Sequence, residues 1–242
     1  MATVTCYPQP AAANYHTAPL TSRRQRTYRI CDTCGAHETS AVKFRLCGGC
    51  MTTQYCSQDC QRAHWPSHKV LCQHTVTQVK QVSHGYCHDE NVVKMLRKFT
   101  SSYESLLGWA GFQALKVKRV PSNIRQKVLL VDINLHNNAD SRRRYSIAST
   151  HVVDKSYIRD SLVLAEIQRR DERSRQNGGI GTLIVLIQCG GATEVMPVEV
   201  DAPSKITWDS RDDWAQVLAH FVENGRTDFK PISTTPKGVY YG

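Results

Sequence analysis

The 242-residue chain contains no run of apolar residues longer than the five at 183–187, which is the length of one strand. A bilayer-crossing helix needs about 18 or more, so none is expected, and no membrane partner with it. The first thirty residues lack acidic side chains and lack an apolar block; they carry four arginines among Ala, Pro, Thr and Tyr. A secretory signal is therefore not expected, and Pro8, Pro10 and Pro19 disfavour an amphipathic organellar presequence. The expected location is the nucleus or cytoplasm, where thiols stay reduced. Concentrated basic charge is missing too. The formal charge of +10 is spread along the chain, and only Arg23-Arg24-Gln25-Arg26 and Arg142-Arg143-Arg144 form clusters. Nucleic-acid readers gather Lys and Arg on one face, so nucleic acid is a possible partner but not the favoured one.

What the chain has in excess is cysteine, and its placement is uneven. Seven of its ten cysteines lie in residues 31–72. In order they read Cys31-x2-Cys34, Cys47-x2-Cys50, Cys56-x3-Cys60 and His68-x3-Cys72, separated by twelve, five and seven residues. Two intervening residues let a tight turn aim both sulfurs at one ion; three place both side chains on one helix face. Four chelating pairs give eight ligands, or two closed tetrahedral shells. A hydrolytic zinc keeps an open position, so this count points to two structural Zn²⁺ per chain. Reduced clustered thiols in this spacing favour metal over disulfides.

The segment offers few large apolar groups beyond Phe44, Leu46, Met51, Tyr55 and Trp65, too few to fold by burial alone. Zinc is expected to supply the difference, about 10–16 kcal/mol of apparent binding energy per structural site. Two ions and seven thiolates would turn the segment's formal charge from +1 to −2, which weakens a phosphate-binding role for it. Spacing leaves the eighth ligand open, because Cys60, His64, His68 and Cys72 follow one another at intervals of four. His68 is preferred, with His64 the alternative and His37 and His74 minor candidates.

The run Tyr55-Cys56-Ser57, Cys60-Gln61, His64-Trp65, His68-Lys69, Cys72 closely resembles the MYND zinc finger. The resemblance covers about forty residues, 31–72. It implies interleaved pairs, with Cys31, Cys34, Cys56 and Cys60 on one zinc and Cys47, Cys50, His68 and Cys72 on the other, and it makes His64 a non-ligand. It also implies a protein-binding module that takes proline-rich peptides, with Gln61 and Trp65 as the contact residues beside an extended edge at residues 51–55. Gly48 stands where some members carry a helping serine, and the twelve-residue gap after Cys34 is long for the family.

The rest of the chain suggests four divisions: a disordered basic arm (1–30), the finger (31–72), a linker (73–88) and an α+β domain of unknown function (89–242). In the last, residues 91–115 have helical apolar spacing. Residues 127–136 and 144–153 read as a hairpin, and 180–188 with 193–200 as a second. Helices are expected over 155–175, whose "QRRDERSR" tail reads as a solvated face, and over 210–224. The fold class is thus a small two-zinc finger followed by an α+β domain, with antiparallel hairpins in an antiparallel sheet covered by helices.

No residue is singled out as catalytic. Cys189 with His136 or His151 makes a thin hydrolase reading, since isolated Cys and His in strands are usually packing residues. Asn134-Leu135-His136-Asn137 is not the cofactor motif of a SET-like lysine methyltransferase, and Cys47-x2-Cys50 lacks the Cys-x-His of a RING ligase. The expected function is a protein–protein interaction adaptor or regulator; a nucleic-acid-associated transcriptional regulator is the second reading.

Overall fold

A computed structural model of the chain describes residues 30–39, 41–50, 53–82, 90–136, 140, 143–190 and 192–241. The expected N-terminal arm lies outside them apart from Ile30. In the finger, two short strands, β1 (Arg45–Leu46) and β2 (Gln54–Tyr55), pair antiparallel, and helix α1 (Gln58–Val82) follows. Ser57 starts this helix: its Oγ accepts the Cys60 N–H at 3.1 Å, the hydrogen bond by which a serine cap satisfies an otherwise orphaned amide. The helix runs through Pro66 and continues well past Cys72. The expected linker is therefore helical as far as Val82, and residues 83–89 lie outside the described ones.

The apolar spacing of 91–115 resolves into two helices, α2 (Glu90–Ser102) and α3 (Glu104–Ala114). A single turn, α4 (Asn123–Gln126), leads into β3 (Lys127–Leu135), followed by β4 (Tyr145–Asp154) and helix α5 (Ser161–Gln176). Asp160 caps α5, its Oδ1 accepting the Leu162 and Val163 amides. Next come β5 (Gly181–Cys189), β6 (Ala192–Val200) and α6 (Trp214–Glu223), and a small hairpin of β7 (Ile232–Thr235) and β8 (Gly238–Tyr241) closes the described chain.

Both expected hairpins form, β3 with β4 and β5 with β6. The sheet joining them is not wholly antiparallel. Its order is β4-β3-β5-β6, and the central pair β3 and β5 runs parallel, with Leu129 opposite Val185 and Asp132 opposite Gln188. A hairpin announces itself through local turn residues, whereas the pairing between hairpins is non-local, so sequence spacing fixed only the outer ladders. Central parallel strands are covered on both faces and read as continuous apolar runs; 128–131 and 183–187 are such runs.

Helices α2, α3 and α6 cover one face over Phe99, Leu107, Phe112, Leu129, Val185 and Leu218. The other face packs Val128, Leu130, Ile184 and Leu186 against Ile167 of α5. At Gly111, α3 approaches β5 so closely that an added Cβ would sit 2.9 Å from Leu183 Cδ1 and 3.0 Å from Val185 Cγ2.

Candidate metal centre

The ligands are aimed by three local devices. In the first turn, the Cys31 N–H donates to the Ala36 carbonyl (2.8 Å) and the Gly35 N–H to the Cys31 carbonyl (3.0 Å), with Gly35 at φ +71°, where a side chain would be strained. The Thr33 hydroxyl donates to the Cys60 carbonyl at 2.7 Å, tying this turn to the start of α1. In the second turn, the Cys47 N–H donates to Thr53 O at 2.7 Å, which closes the β1–β2 hairpin over Cys47 and Cys50. Helix α1 then presents Cys60 near its start and His68 and Cys72 two to three turns later.

Two ligand sets result: Cys31, Cys34, Cys56 and Cys60, and Cys47, Cys50, His68 and Cys72, each with its ligand atoms within 4.8 Å of one another. The alternating pairs cross-brace the finger. Cys34 and Cys56 sulfurs lie 3.6 Å apart and Cys56 and Cys60 3.5 Å. In the second set Cys47 and Cys72 are 3.7 Å apart and Cys50 Sγ is 3.5 Å from His68 Nε2. A tetrahedron with zinc–sulfur bonds of about 2.3 Å has edges of about 3.8 Å, so these residues fit two zinc ions with closed shells. The sets differ in access. All four ligands of the second are buried, whereas in the first Cys34 is exposed and Cys56 and Cys60 are half-buried.

The histidine ambiguity is resolved by geometry. His68 is buried, with Nε2 turned to the sulfurs and Nδ1 3.5 Å from Thr53 Oγ1. With Nε2 on a metal, Nδ1 carries the hydrogen and donates to Thr53, which fixes tautomer and ring orientation. His64 belongs to neither set: its Nδ1 is hydrogen-bonded to the Tyr55 hydroxyl at 3.0 Å, and its ring stacks on His68 at 5.4 Å. Burial lowers the His64 pKa, with the Arg169 charge adding to the effect.

Charge makes the sets demand a cation. Burial, then the Cys50 and Cys47 charges, push the Cys72 thiol up to about 12, and the Cys50 hydrogen bond raises His68 to about 9. Protons or a metal ion must compensate three converging thiolates beside one imidazole. Tyr55 is raised by burial and by the same sulfurs, so its hydroxyl stays neutral. In the first set, burial opposes ionisation of Cys31, but the amides of Cys34, Cys56 and Thr33 outweigh it and lower its pKa.

The finger core consists of Phe44, Tyr55 and the buried sulfurs. Trp65 is 41% exposed and stands edge-on to His68, ring centroids 6.1 Å apart; Gln61 lies half-buried one turn before it. The edge expected at 51–55 is occupied at Gln54: its N–H donates to Asp32 Oδ2 at 2.8 Å and its carbonyl accepts the Asp32 N–H at 2.9 Å. Met51 and Thr52 lie outside the described residues.

Asp32 is the residue that sequence reasoning missed, together with its partners. Far from being a solvated face, the tail of α5 converges on it. Asp32 Oδ1 lies 3.1 Å from Arg173 Nη1, 3.1 Å from Arg170 Nη2 and 3.6 Å from Arg169 Nη2. Glu166 pairs with Arg169 and Arg170 at 2.7 and 2.8 Å, and Glu199 of β6 pairs with Arg173. Burial alone would raise Glu166, but the Arg169 hydrogen bond and the Arg170 charge hold it down at about 2. The available signal was the spacing of Glu166, Arg169, Arg170 and Arg173, which shares one helix face.

The sequence model of the MYND finger family matches residues 31–72. Over 42 residues the chain is 45% identical to MYND-type zinc finger protein samB of Aspergillus clavatus (17% of this chain, 7% of that protein). It is 43% identical over 44 residues to SET domain and MYND-type zinc finger protein 6 of Schizosaccharomyces pombe (18% and 8%), and 35% identical over 63 residues to SET domain-containing protein 14 of Caenorhabditis elegans (26% and 14%). The matched segment thus spans no more than 14% of these relatives' lengths. No solved structure matches the chain. The cross-braced ligand sets and the family match coincide on the same forty-two residues, and residues 31–72 are a MYND-type zinc finger, a non-catalytic module of protein–protein interaction.

Proposed function

We propose that the chain is a non-enzymatic adaptor of the nucleus or cytoplasm whose finger takes a proline-rich peptide on the α1 face formed by Gln61 and Trp65. The exposure of Trp65 carries this reading. The buried finger core does not include its indole, which stands edge-on to His68 and is 41% exposed, so aromatic surface is left for a proline ring to pack on, with the Gln61 amide one turn away to meet a peptide carbonyl. With the Gln54 backbone already bonded to Asp32, the peptide is held by side chains more than by strand addition.

Support for the non-enzymatic part comes from the residues that could have been nucleophiles. Burial raises the Cys189 thiol, which works against a reactive thiolate. His136 pairs with Ser146 at 2.7 Å. The Ser149 hydroxyl donates to Asp132 at 2.6 Å, with His151 3.1 Å away on its other side; a serine whose proton faces a carboxylate is not poised for attack through histidine.

The test is peptide binding by wild type and Trp65→Ala, with zinc content measured in both. Loss of a central aromatic contact is expected to weaken binding at least tenfold while zinc stays at two per chain. Equal affinity in a fully loaded variant would remove Trp65 from the binding face.

A further inference from the structure

The Asp32 side chain has no exposed surface, although it stands between two ligands of the more accessible zinc set. We propose that Asp32 is a latch between the first ligand set and α5: the set holds the Asp32 carboxylate in the arginine fork of Arg169, Arg170 and Arg173, so that metal occupancy of Cys31, Cys34, Cys56 and Cys60 governs whether the finger stays docked on the C-terminal region.

The charge balance of the interface carries the argument. Three guanidiniums, Arg169, Arg170 and Arg173, meet three carboxylates, Asp32, Glu166 and Glu199. Two of the carboxylates belong to the C-terminal region and one to the finger, so the cluster is neutral only when the finger is docked. Withdrawing Asp32 leaves three guanidiniums facing two carboxylates, with Arg170 buried, and an uncompensated buried charge is the most destabilising way to break such a cluster. Arg169 and Arg173 also donate to main-chain carbonyls of the same turn, Arg169 Nη1 to Asp32 O at 3.4 Å and Arg173 Nη1 to Cys31 O at 3.5 Å. These bonds need the turn in its ligating shape. Cys31 and Cys34 flank Asp32, and convergence of their sulfurs on one ion is what pins that turn at both ends.

Coupling of this kind is reciprocal: if metal in the first set favours docking, docking tightens the metal by the same factor. A substitution on α5, more than 100 residues along the chain from every ligand of the first set, is therefore expected to weaken one zinc and not the other. The second set, whose four ligands are buried and whose ligating turn does not contain Asp32, serves as the internal control.

The experiment uses the full chain in competition with a chromophoric zinc chelator, resolving the two zinc affinities. Arg173→Met is expected to lower the affinity of the first set by a factor of about 5 to 150, leaving the second within error of wild type. Arg169→Gln, at the half-exposed rim of the fork, should do the same more weakly, and stands in if Arg173→Met fails to fold. In wild type, hydrogen exchange during chelator titration should show amides of residues 170–177 exchanging about tenfold faster or more once the first zinc is removed, while residues 162–167 and β3 and β5 keep their protection. Unchanged zinc affinities in the folded variants, equal weakening of both sets, or α5 exchange indifferent to zinc would each overturn the latch.

Discussion

His68 is held at both ring nitrogens, and Thr53 is the reason a ring on a helix face reaches the metal through Nε2. The Thr53 hydroxyl lies between His68 Nδ1 and Cys50 Sγ, at 3.5 and 3.6 Å. Thr53→Val keeps the shape and removes the acceptor, so zinc affinity of the second set should fall about 10–100-fold, read by chelator competition. At Glu166 the folded-state pKa of about 2 lies below the ordinary 4.5. The stability it contributes is therefore fully present above pH 4.5 and lost as pH falls toward 2. That depression corresponds to about 3 kcal/mol at neutral pH. The difference in unfolding free energy between wild type and Glu166→Gln should be near that size at pH 7, shrink below pH 4.5 and close near pH 2. Acid also displaces zinc from both proteins, so the difference is the quantity to follow. Sequence spacing identified all seven cysteines as ligands, because chelation leaves a periodic trace; it left His64 open beside His68, and Thr53 and Asp32 left no trace because their partners are set by tertiary approach.

Among the elements, α5 taught the largest correction. Ile167 packs where the pattern placed it, with Leu164 and also Val163 beside it, whereas Ala165 is exposed, and the charged tail of the helix faces the finger. A run such as "QRRDERSR" has the same local pattern whether it meets water or a buried carboxylate; only the three-dimensional partner decides. The parallel pairing of β3 and β5 escaped for a similar reason, while the two hairpins were legible in their strand and turn chemistry. Close approach of α3 to β5 at Gly111 gives the element-scale prediction. Gly111→Ala must push aside Leu183 and Val185 in a closed core, and overpacking of this kind costs about 1–3 kcal/mol. Urea unfolding should show a lower midpoint with an unchanged slope and both zinc ions still bound.

At the scale of the molecule, two unequal sources of stability meet. The sheet and its helices bury a continuous apolar core on both faces, whereas the finger depends on its ions for about 10–16 kcal/mol per site. Complete chelation should therefore erase exchange protection in the finger while amides of residues 129–133 and 183–187 remain protected; simultaneous loss in both regions would mean that the core cannot stand without metal. Docking through Asp32 also gives the finger a heading. One flank of the finger faces α5 through Asp32, so a peptide taken on the proposed Trp65 face would meet a module held at a set bearing to the sheet. A module on a slack cord would let its cargo tumble; a finger clamped in this way presents it in a single pose, as a jig holds a workpiece.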